Sequence, residues 1–134
     1  MATTTATLTL SSADLSSQAL SVTATSTLYK AGTTIGLDQT TGLTKKIYAT
    51  AQTNTEIIAA DQFDDNQSAR LYIKNVGSSS TDYFTIQVSA GNLVLGRLYG
   101  GDWMWLPYEG ENGIGISSSN TSMELEYMVI YQAV

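Results

Sequence analysis

The most constraining stretch of the chain is MELEYMVIY, residues 123–131. Met123, Leu125, Tyr127, Val129 and Tyr131 recur at every second position. Successive side chains of a strand point to opposite faces, so this spacing describes a strand and not a helix. The other face reads Glu124, Glu126, Met128, Ile130. It passes from charged to apolar along its length, which implies that the C-terminal end of the strand is covered on both sides.

The same period of two runs through the rest of the chain. RLYIKNV sets Leu71 and Ile73 against Tyr72 and Lys74, and DYFTIQVS sets Phe84, Ile86 and Val88 inward with Tyr83, Thr85 and Gln87 outward. KIYATA, NTEIIAA, NLVLGRLY, WMWLP and the segment around Ile114 and Ile116 read as further short strands. Residues 30–46 read as loop with short extended pieces at most, and SSADLSSQAL as either a single helical turn capped by Ser12 or Asp14 or simply a turn. Near the N-terminus, Leu8 and Leu10 share a face, as do Leu20, Val22, Ala24, Ser26 and Leu28. No segment carries a sustained helical period. Strands separated by Gly, Ser and Asn turns predict an all-β chain, an antiparallel β-sandwich of jelly-roll type, with a general barrel as the alternative. One domain is expected: residues 1–26 as a Ser/Thr-rich arm or first strands, and residues 27–134 as the sandwich.

Composition narrows the function. Twelve acidic residues against six basic ones give a net charge of −6, which leaves no basic patch for nucleic acid and no attraction to an anionic membrane. The N-terminus lacks the charged and apolar regions of a signal peptide, so synthesis in a cytoplasm is expected. Histidine and cysteine are both absent, which removes Ser-His and Cys-His nucleophiles and most transition-metal sites. Glu124 and Glu126, on one strand face, are the pair a glycosidase would need, and Asp102, Glu109 and Glu111 flank the tryptophans. On a solvent-facing strand such carboxylates are ordinary surface, and the chain is read as a non-enzyme that needs no cofactor. Asp61, Asp64 and Asp65 form a weak calcium candidate, since their spacing does not match a calcium-binding loop.

One segment stands apart. LYGGDWMWLPYEGENG, residues 98–113, holds both tryptophans and the only proline. Alternation puts Trp103 and Trp105 on one strand face. That face is the rim of the core, an anchor in a protein interface, or a platform for a sugar ring, and alternation alone does not choose. Thr7, Leu8, Thr9, Leu10, Trp103, Trp105 and Tyr108 are the candidate interface residues.

The segments TLYKAGTTIGLDQTTGLTKK, RLYIKNVGSSSTDYFTIQV, LGRLYGGDWMWLPYEG and MELEYMVIY, in this order, resemble small virion structural proteins of tailed phages, above all those of marine cyanobacterial phages. The resemblance spans about residues 27–131 and rests on strand pattern and short peptides; where many relatives read P-G, this chain has Gly101-Asp102. It implies a capsid decoration, or cement, protein on the outer surface of the head. Its partner would be the major capsid protein, and its own assembly a homo-oligomer, with a trimer favoured by lattice symmetry. A neck, tail or fibre-associated protein of the same fold is the second reading, and a glycan-binding adhesin using Trp103 and Trp105 the third.

Overall fold

Strand β6 (Ala69–Asn75) shows how the alternation is used. Ala69, Leu71, Ile73 and Asn75 are buried, and Arg70, Tyr72 and Lys74 between them are half-exposed. The computed structural model describes residues 3–64 and 66–133 of the chain. Before β6 come β1 (Thr5–Ser12), β2 (Leu20–Thr27), β3 (Gln39–Thr40), β4 (Thr44–Tyr48) and β5 (Thr55–Ile58). After it come β7 (Tyr83–Val88), β8 (Leu93–Tyr99), β9 (Trp103–Pro107), β10 (Ile114–Ser118) and β11 (Met123–Tyr131). Every strand pairing is antiparallel, and the described residues contain no α-helix, only one 3-10 turn at Ala90–Asn92.

The pairing is nested. β4 pairs with β11, β5 with β10, β6 with β9, and β7 with β8. Two further ladders, β11–β6 and β10–β7, fold this nested ribbon into two sheets. One runs β4-β11-β6-β9, with β3 beside the far end of β11, and the other runs β5-β10-β7-β8. A single apolar cluster takes side chains from both. Leu71, Ile73, Leu125 and Val129 enter from the first sheet, and Phe84, Ile86, Ile114 and Ile116 from the second. Each is at most 2% exposed. Burying one such side chain stabilises the fold by about 1.5–3 kcal/mol, so this layer dominates the energetics.

Several expectations need correction. Residues 5–27 form no extended arm: β1 and β2 pair over their whole length as a separate two-stranded hairpin. Its loop is turned by the Ser12 hydroxyl, which accepts hydrogen bonds from Asp14 N and Leu15 N at 3.4 and 3.1 Å. Leu28, only 1% exposed, anchors the hairpin, and its backbone bonds Thr4 on one side and Leu37 on the other. The loop with short extended pieces expected at residues 30–46 is as read: its extended pieces are β3 and the start of β4. Gln87 does point away from the core, yet it is only 3% exposed, because its amide is held by the Asn54 side chain over that face.

Asn75 links the layers. Its side-chain Nδ2 donates to Leu98 O of the opposite sheet at 2.9 Å, and Oδ1 accepts from Gly77 N at 3.0 Å. Its backbone N and O bond Asp102 O and Gly101 N at 3.0 and 2.9 Å. At 2% exposure it has no access to water as a substitute. Replacing Asn75 by Ala removes the buried donor to Leu98 O and opens a gap between the sheets, and is expected to destabilise the protein by about 1–3 kcal/mol in urea denaturation.

Candidate binding cleft

The aromatic segment is positioned by the turn ahead of it. Gly101 sits at φ +87°, where residues with a Cβ are strained, and reverses the chain between β8 and β9. The Asp102 carboxylate closes that turn by accepting from Tyr99 N at 3.0 Å. Strand β9 then runs along the edge of the first sheet against β6. It stops at Pro107, a residue that sheets tolerate on edge strands.

Met104 and Leu106 point inward against the core cluster. Trp103 and Trp105 therefore occupy the outer face, which removes the core-rim reading. Trp103 is 51% exposed and Trp105 is half-buried. Register fixes their neighbours. Trp105 lies beside Tyr72, and Tyr72 beside Met128, in one row; Trp103, Lys74, Glu126 and Lys45 form the next. Burial first, and then the Glu126 carboxylate, hold the Tyr72 hydroxyl above its ordinary pKa.

The hairpin stands over this face and encloses a cleft of about 620 Å³. Trp103, Trp105, Tyr72 and Lys74 line one side. Ala6, Thr7, Leu8, Ala24, Thr25 and Ser26, from the base of the hairpin, line the other. The hairpin is two-faced by register. Thr5 pairs with Thr27, Thr7 with Thr25, Thr9 with Thr23 and Ser11 with Ser21, so one face is all hydroxyl. The Thr7 and Thr25 hydroxyls bond each other at 3.1 Å. On the opposite face Leu8 meets Ala24 and Leu10 meets Val22.

Of the expected interface residues, Thr7, Leu8, Trp103 and Trp105 meet in this cleft, whereas Thr9 and Leu10 lie beyond it, exposed on the hairpin. Tyr108 does not join them. It is only 8% exposed, packs edge-on against Phe63, and donates its hydroxyl to Asn112 O at 2.6 Å. Tyr72 and Lys74 were not singled out, although the alternation in RLYIKNV puts them on the right face; the long-range pairing of β6 with β9 was the missing information.

The acidic candidates are dispersed. Among the described residues no cluster of three or more ligand-type side chains is placed to hold a metal ion. The Asp64 carboxylate accepts from Asn66 N at 2.9 Å, Asp61 lies in the neighbouring turn, and Asp65 is outside the described residues. Glu124 and Glu126 share the outer face of β11, with Ile47 and Lys45 as their partners on β4. Among the described residues no helix is long and apolar enough to cross a membrane. The chain matches no protein-family model and no curated protein.

Tyr108 gives the fold a measurable alkaline limit. Burial, with the charges of Glu56 and Glu109 adding to it, pushes its hydroxyl from 10.0 up to about 12. A raised pKa means that this contribution to stability is complete below pH 10.0 and is lost as pH rises toward about 12. Past that point the loss amounts to about 2–3 kcal/mol. Urea titrations from pH 9 upward are expected to show a steeper alkaline fall for the native chain than for Tyr108→Phe, which has no proton to lose.

Proposed function

We propose that this chain is a virion structural protein, a capsid decoration protein that binds the major capsid protein lattice and stabilises the head. The observation that carries the reading is the strand order. Counted from β4, the eight strands pair first with eighth, second with seventh, third with sixth and fourth with fifth. They lie in the orders one-eight-three-six and two-seven-four-five. This order supports reading the chain as a jelly roll, a fold used by viral capsid, lectin and cupin domains. The resemblance of the strand peptides to small phage virion proteins favours the first of these.

A fold alone does not assign a function, so the attachment surface must supply the rest. Leu10 at 48%, Val22 at 42% and Leu15 at 76% exposure leave apolar surface open on the hairpin. Asp14 is the only charged residue between Thr5 and Thr27. In a chain of net charge −6, this element is where another acidic surface can approach with least repulsion. Edge strand β8 adds Leu93, Val94 and Leu95, all exposed beside an unpaired sheet edge. Modest contacts of this kind become firm when a shell repeats them and copies are linked, and a homo-trimer at the threefold positions of the lattice suits that geometry.

The test is reattachment of purified protein to shells stripped of it. Leu10→Asp with Val22→Asp lies on exposed hairpin positions, so the sandwich should keep its thermal midpoint while affinity for the shell falls roughly tenfold or more. Equal attachment by the double variant removes the hairpin from the model. Recovery of only about a dozen copies per particle, far below lattice stoichiometry, would move the protein to the neck or tail.

A further inference from the structure

We infer that the cleft between the hairpin and the β6–β9 face is a saccharide-binding site, built for a short oligosaccharide that carries a carboxylate. The inference goes beyond the decoration reading and does not depend on it.

Three features carry it. First, Trp103, Trp105 and Tyr72 set three aromatic rings on adjacent strands in one wall. The C–H bonds on one side of a pyranose ring form an apolar patch, and such patches rest well on the electron-rich face of an indole or phenol. Trp103 is 51% exposed with the core on the far side of its strand, so packing does not account for its position. Second, the hairpin side of the cleft offers hydroxyls and small side chains: Thr7 and Thr25 from its hydroxyl face, and Ser26 with Ala6 and Ala24 from the other. Hydroxyls both donate and accept, which matches the hydroxyl-rich edge of a sugar, and the alanines leave room for it. The volume of about 620 Å³ falls in the range of ligand sites that enclose several rings. Third, Lys74 is the only charged residue lining the cleft, and it lies next to Trp103 across the strand pair. Among the described residues the one ion pair is Lys30–Asp38, so the Lys74 ammonium is not paired within 4 Å. Glu126, its neighbour on β11, is outside the lining. An unpaired cation beside an exposed ring selects a ligand that places a negative charge there, a local attraction that works against the chain's net charge of −6.

The experiment uses the full chain and follows tryptophan fluorescence and the two indole N–H signals in NMR. Trigalacturonate is the acidic probe and cellotriose the neutral one. Both indoles are expected to shift, with trigalacturonate binding in the millimolar range or tighter, and more tightly than cellotriose. Lys74→Gln should weaken trigalacturonate roughly tenfold and cellotriose by much less, and added salt should weaken the acidic probe more than the neutral one. Trp105→Ala should abolish both. If that variant fails to fold, Trp103→Ala replaces it, since half of that side chain already faces solvent. No indole shift with either sugar at about 10 mM would overturn the inference. So would binding that survives both tryptophan variants, or shifts produced by a proline-rich peptide and by neither sugar. Equal affinity for the two sugars, unaffected by Lys74→Gln, would overturn the acidic assignment.

Discussion

Strand β6 is the element on which the rest depends. It is the interior strand between β11 and β9, and each of its residues serves one of two layers. Leu71 and Ile73, both 0% exposed, fill the space between the sheets. Tyr72 and Lys74 floor the cleft on the other side. The residue that ends it, Asn75, fastens the first sheet to the second and also holds the turn that launches β9. A slip of one residue in the β6–β9 register would exchange the two faces of β9, sending the indoles into the core and Met104 and Leu106 into water. Core and cleft are therefore set by one register.

Much of this was legible in the residues. Where one sheet face meets the core and the other meets solvent, the period of two is strict, as in RLYIKNV and MELEYMVIY, and it predicted both strands and their inward sides. The polar-to-apolar change along the outer face of β11 has no counterpart in burial, since Glu124, Glu126, Met128 and Ile130 are all half-buried alike. Other features depend on pairings between residues distant in sequence. Gln87 looked like a solvent-facing residue because nothing local announces that Asn54 reaches across to it. Tyr108 looked like part of the exposed aromatic run because its neighbours are exposed. Its burial comes from Phe63, which arrives from a loop that precedes β6.

The hairpin illustrates the same limit from the other direction. Its two strands were visible as alternating segments, but an uncharged, threonine-rich sequence suits an extended arm as well as a paired strand. Pairing resolves the ambiguity through the faces it creates. Once β1 and β2 are in register, the hydroxyls gather on one side and the leucines, valine and alanines on the other. A two-stranded ribbon in water is marginal by itself. Here it is seated through Leu28 and Leu37, both 1% exposed, and through the bond from Leu28 N to Thr4 O at 2.9 Å. Those anchors fix the base that walls the cleft and leave the far end, with Leu10 and Val22, in solvent.

The concentration of large aromatics in residues 98–113 has a physical explanation in the ends of β9. An edge strand has a neighbour on one side only, so wide side chains are the means by which it covers the outer face of the strand beside it, as Trp105 does for Tyr72. Past Pro107 the chain leaves the sheet and the logic reverses. Tyr108 turns inward onto Phe63, which also packs against Tyr131 at a centroid distance of 4.8 Å. The backbone can close over that group only because residue 110 is glycine, where a Cβ would stand 1.7 Å from Phe63 O. A run of rings that looks uniform in sequence is thus two structures: an outward aromatic wall made by strand alternation, and an inward plug made by a close backbone approach. The glycine that permits the plug also fixes where the wall must end.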